Sequence, residues 1–166
     1  MHTLLKAKRL EHIAQRIGFA LWQIQELEGV AAQFFVLVAK AEVGMGQEKA
    51  NALVEEAQNK TFGATVNKLI KGNHLPSELN ARFSALLLER NWLVHNSRAS
   101  SRSAIYHQPD YEQLITKVDS IADESLSLLK ELSKQSEIYL LKIGITTEKL
   151  QSITEQTLQQ WHASRD

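Results

Sequence analysis

Residues 77–98 read SELNARFSALLLERNWLVHNSR, and the spacing of their apolar side chains decides the fold class. At about 100° per residue, Leu79, Phe83, Leu86, Leu87, Leu93 and Val94 share one arc of about 120°, the mark of a helix with one face in a core. The same steps of three and four recur on both sides. Upstream, Leu10, Ile13, Ile17, Ala20, Leu21, Ile24, Leu27, Ala31, Phe34, Phe35 and Val38 mark one long amphipathic helix from about Leu4 to Glu42, with Gly18 and Gly29 as points of bending. FFVLV, residues 34–38, would read as a strand alone but continues the helical stripe without a turn signal. Gly44 and Gly46 end this helix. A short second helix, about Gln47 to Asn59, carries Ala50, Leu53, Val54 and Ala57. Thr61 caps a third, Phe62 to Lys71, which stops at Gly72.

Pro76 or Ser77 starts the fourth helix, which reaches about Arg98. The following NSRASSRSAIYHQP, Asn96 to Pro109, has no apolar periodicity and reads as one long loop. Tyr111, Leu114, Ile115, Val118, Ile121, Ala122, Leu126, Leu129 and Leu132 then mark a long fifth helix running on to Ile143, where Gly144 breaks it. Thr146 or Thr147 caps a last helix with Leu150, Ile153, Leu158 and Trp161, ahead of a frayed tail at Ser164 to Asp166. The expectation is a single all-α domain over 1–166, an up-and-down bundle of five to six helices. Its core spans about 4–143, and an extra C-terminal helix covers about 146–163.

Composition agrees. A chain of 166 residues with seven Gly and two Pro has too few turn formers for a sandwich or barrel. It has no Cys, which excludes disulfides and thiolate metal sites. Nineteen Lys and Arg balance nineteen Asp and Glu, so bulk charge cannot hold nucleic acid and any basic site must be local. The first eighteen residues are interrupted by charge and lack a signal peptide's apolar stretch. The longest apolar run, Gly29 to Ala39, is broken by Gln33 and is far short of the roughly 20 residues that span a bilayer. These features predict a cytoplasmic protein that makes no use of a membrane.

One residue breaks the pattern of the fourth helix. Arg90 falls near the centre of the apolar arc, where a charge is costly unless paired. Asn91 and His95 lie on the border of that arc, about 40° apart. Two readings stand at this point. Arg90 snorkels between helices beside ordinary border residues, or the three form a rim where a permanently charged fork and a proton shuttle meet an anion. The second suits phosphodiester chemistry.

Glu89-Arg90-Asn91-Trp92-Leu93-Val94-His95 resembles the R-N-x-x-x-H form of the Arg-x4–6-His motif of the HEPN superfamily, helical domains of bacterial defence and toxin–antitoxin systems. In that family the motif sits toward the end of a core helix in a four- or five-helix bundle. Leu75-Pro76-Ser77-Glu78-Leu79 and Thr61-Phe62-Gly63 also look like features of its uncharacterised members. The resemblance implies an endoribonuclease that needs no metal or other cofactor, works as a homodimer with two motif helices facing across one composite site, and leaves 2′,3′-cyclic phosphate and 5′-hydroxyl ends. It makes His95 the general acid/base, Arg90 the stabiliser of phosphoryl charge and Asn91 a phosphate or His95 contact. It further implies an antitoxin or regulatory partner. In one branch the motif continues with a Tyr two residues after the His, a target of nucleotide modification; here that position is Ser97, and this control is not expected. The alternative is a non-catalytic module of the same fold whose rim binds a nucleotide, RNA or a protein.

Glu28 lies inside the apolar arc of the first helix, about 40° from Ile24. Either it pairs with Arg90 and fixes the guanidinium, or bending of the helix turns it to solvent. Arg98, Arg102, Tyr106 and His107 would give the loop after His95 a basic rim able to grip or stack RNA, or else a solvated surface. Asp119 and Asp123 read as exposed charge rather than a cation site, and the other histidines lack metal-ligand spacing.

Overall fold

The structure is a computed structural model that describes residues 2–163, so the frayed tail expected at Ser164 to Asp166 lies outside the described residues. The described residues form seven helices: α1 (His2–Ala39), α2 (Gln47–Gln58), α3 (Phe62–Lys71), α4 (Ser77–His95), α5 (Ser97–Ala104), α6 (Gln108–Lys142) and α7 (Thr147–Ala163). There is no strand among the described residues, and FFVLV lies within α1. None of these helices is long and apolar enough to cross a membrane.

The contacts group into two compact units, Met1–Leu132 and Ser133–Asp166, dividing inside α6 rather than at Gly144. The reason is burial: Leu132 is the last buried residue of α6. In the first unit the α1 stripe, from Ile13 to Phe34, meets Phe62, Val66 and Leu69 of α3, Leu79, Phe83, Leu86 and Leu93 of α4, Ala104 of α5, and Leu114 to Leu132 of α6. Phe62 and Phe83 meet edge to face at 6.3 Å, which locks α3 onto α4. A smaller cluster of Ala32, Val36 and Ala57, with Leu53 and Val54, seats α2 on the end of α1.

Polar pairs fix the directions of the long helices. Arg9 bonds the Ile105 carbonyl at 3.2 Å and also the Gln108 side chain, His12 bonds Tyr111 at 2.6 Å, and Arg16 bonds Asp119 at 2.6 Å. Both sequences ascend together, so α1 and α6 run parallel. Arg82 forks onto Glu124 at 2.8 and 2.9 Å, while Glu89 pairs with Lys117 at 3.1 Å, so α4 runs antiparallel to α6. In chain order the three long helices go up, down and up.

The expectations for the stretch after α4 fail for an identifiable reason. The loop expected between Asn96 and Pro109 is largely α5. Its buried face is Ser97, Ser101 and Ala104, which keeps helical spacing without large apolar side chains. Ser97 Oγ donates to the Leu93 carbonyl at 2.6 Å and Ser101 Oγ to that of Ser97 at 2.8 Å, so these hydroxyls are buried with a partner. The count therefore rises to seven, and α4 ends at His95, not Arg98. Gly72 ends α3 as expected, and Asn73 after it takes the left-handed φ of 52°. His74 N–H then reaches the Leu69 carbonyl and Asn73 N–H that of Ile70, closing a Schellman turn. A Cβ at Gly72 would lie 2.4 Å from the His74 ring, so a larger residue there would have to turn that side chain aside.

In the second unit the same turn recurs at Gly144, φ 91°, with Ile145 N–H on the Leu140 carbonyl. Thr146 Oγ1 then accepts the Lys149 N–H and caps α7. α7 buries none of its residues.

Candidate functional site

The rim residues of α4 separate in space. Arg90 is one-third exposed rather than core-buried, because it reaches α1: its Nε donates to Glu28 Oε1 at 3.3 Å. Of the two readings of Glu28, the structure therefore has the one in which the carboxylate meets Arg90. Beyond that contact, the two terminal nitrogens of Arg90 donate to no group among the described residues. Val94, assigned by spacing to the core arc, is 45% exposed, and Leu88 is 73% exposed. The buried stripe is Leu79, Phe83, Leu86 and Leu93, narrower than the sequence arc.

Arg90 and Asn91 open onto a cleft of about 530 Å³ whose other walls are Glu28 of α1, the Asn59–Lys60 link after α2, and Thr61-Phe62-Gly63 at the start of α3. A smaller cleft of about 250 Å³ adjoins it through Glu28, Lys60 and Phe62. The T-F-G and R-N segments, 27 positions apart, thus meet at one place. Thr61 accepts the Ala64 N–H on Oγ1 at 3.2 Å and the Thr65 N–H on its carbonyl at 3.1 Å. The amides of Phe62 and Gly63, the first two of α3, remain without an intrahelical acceptor.

His95 is exposed one turn further along α4 and does not line the cleft. No described residue bonds its ring. Arg98 and Arg102 project from the exposed face of α5, one turn apart. Tyr106 is 70% exposed and lies under the Lys6 ammonium, 4.4 Å from the ring centroid. His107 Nδ1 lies 2.9 Å from Asp110 Oδ1, and this contact holds the Asp110 carboxyl below the usual carboxylate range. None of these four lines the cleft of Arg90, so the structure does not gather them into one basic rim with it.

Sequence reasoning missed Lys60 and Asn59, which sit between two helices and carry no periodic signal. The signal that could have found them is the Thr61 cap next door. It also missed a third cleft, of about 430 Å³, between α4, α5 and α6. Its wall includes Trp92, whose ring carries Lys117 at 3.9 Å. Asp119 is the partner of Arg16. Among the described residues no three His, Asp or Glu side chains converge on a point that could hold a metal ion. Compared with protein-family models, curated proteins and solved structures, the chain matches none.

Proposed function

We propose that the chain is a HEPN-like endoribonuclease that cuts RNA at a site shared by two copies. The observation that carries this reading is Arg90, held at one edge by Glu28 and open at the other onto a cleft it shares with Asn91. A guanidinium so fixed is suited to an oxyanion whose charge grows during reaction. In the proposed reaction His95 accepts the proton of a ribose 2′-hydroxyl, and the 2′-oxygen bonds to the adjacent phosphorus. The bond to the 5′-oxygen breaks, and that oxygen takes a proton from a second imidazole. A cyclic phosphate and a 5′-hydroxyl result. A single exposed His95 serves one of the two proton transfers, and a second copy of α4 facing the first supplies the other. The setting is a bacterial defence or toxin–antitoxin system, with a regulatory partner and a cytoplasmic location.

One observation favours a second reading. His95 has no orienting partner among the described residues and lies outside the cleft. A non-catalytic module would use the Arg90 cleft to bind a nucleotide, RNA or a protein and would have no need of that ring. Incubating labelled RNA, including tRNA, with wild type and His95→Ala in EDTA, and mapping the product ends, separates the two. The expected result is cyclic-phosphate ends from wild type and loss of cleavage by at least about a hundredfold in the variant. Cleavage unaffected by His95→Ala would overturn the assignment.

A further inference from the structure

The cleft beside Arg90 has three ionisable groups in its walls, Glu28, Lys60 and Arg90, and so carries one net positive charge. That excess belongs to Lys60. Glu28 answers Arg90 through one contact at 3.3 Å, whereas exposed Lys60 forms no ion pair with any described residue. Lys60 also stands where the larger cleft passes into the smaller one. The occupant that suits this cleft is an anion that meets both Arg90 and Lys60. A space of about 530 Å³ admits a single nucleotide unit and is too small for a duplex. In a chain of zero net charge, such local cations are what draws a polyanion in.

Resting on the ribonuclease reading, we infer that Lys60 is a substrate-binding residue: it holds the phosphate next to the one that is cut, so that single-stranded RNA threads the cleft between the start of α3 and α4. Arg90 and Asn91 then face the reacting phosphate, and Lys60 fixes the position of the strand. Phe62 and Gly63 line the same cleft, and their amides, without an intrahelical acceptor, can donate to phosphate oxygens there.

The test uses the full chain and a single-stranded 2′-O-methyl octaribonucleotide, which has the phosphates of RNA but no 2′-hydroxyl to attack. Fluorescence anisotropy across a salt series is measured for wild type, Lys60→Gln and Lys60→Arg. Lys60→Gln weakens binding about fivefold and lowers the slope of log K against log salt by about 0.7, one phosphate contact for a single strand. Lys60→Arg keeps both near wild type. Equal affinity and slope for wild type and Lys60→Gln overturn the inference, as does a wild type that does not bind the oligomer. The parallel cleavage assay keeps the two readings apart. Lysine-dependent binding without cleavage sinks the ribonuclease and spares the subsite, whereas equal cleavage by wild type and Lys60→Gln sinks the subsite and spares the ribonuclease.

Discussion

Glu28 has two opposed effects on Arg90, and a single substitution separates them. Its carboxylate fixes the guanidinium, which favours catalysis, and cancels its charge, which disfavours the approach of RNA. Both side chains are about one-third exposed, so solvent limits the pair's stabilisation to about 1 kcal/mol or less. Glu28→Gln is therefore expected to shift the urea midpoint little, to tighten binding of the uncleavable oligomer, and to lower the cleavage rate at saturating RNA about tenfold. A fall in stability with binding and turnover unchanged would assign the pair to the fold alone. The sequence showed that a carboxylate and a guanidinium each sat on an apolar arc, which put forward their pairing as one of two readings; the 3.3 Å contact decides between them. It did not show Lys60, because a link between helices has no period from which a direction in space can be read.

At the scale of the element, α4 and α5 show which helix faces a sequence reveals. The period of large apolar residues located α4 and its core side, yet it also placed Val94 inside, where only the edge of the stripe lies. Leu93→Ala should cost about 2–5 kcal/mol by denaturant unfolding, and Val94→Ala under about 0.5 kcal/mol, although the two are neighbours in sequence. α5 stayed hidden because small hydroxyl side chains form its inner face. Ser101→Leu should overpack that face by about 1–3 kcal/mol, while Arg102→Ala on the outer face leaves stability within about 0.5 kcal/mol. Asp110, in the first turn of α6, gives this region a pH dependence of definite sign. Its folded pKa is depressed, so the contribution is present above the ordinary Asp value and is lost as pH falls through the lower folded one. NMR titration of the Asp110 carboxyl should give a midpoint below that of an unstructured Asp, and His107→Ala should raise it.

At the scale of the molecule, α6 is tied to α1 and α4 of the first unit by pairs of polar side chains. Arg82 grips Glu124 with two nitrogens and also bonds Ser127 at 2.8 Å, and the Glu124 contact raises the arginine pKa above its ordinary value. The Arg90 cleft lies on the other side of α4, among α1, α3 and the link before α3. The outer side of α4 is left bare: Leu88 is 73% exposed on the side that carries Asn91 and His95, so this side answers to no part of the core. The proposed shared site uses that side twice, once from each copy, as two-fold pairing requires. A mixing experiment tests it without knowledge of the natural RNA. Wild type is unfolded and refolded with about a tenfold excess of His95→Ala, which randomises the pairing, so that most wild-type chains sit beside a variant. If each cut needs the His95 of both copies, the rate per wild-type chain falls about tenfold, in proportion to the surviving wild-type pairs. If one chain holds a whole site, that rate stays constant, and the bare side of α4 has a role other than catalysis.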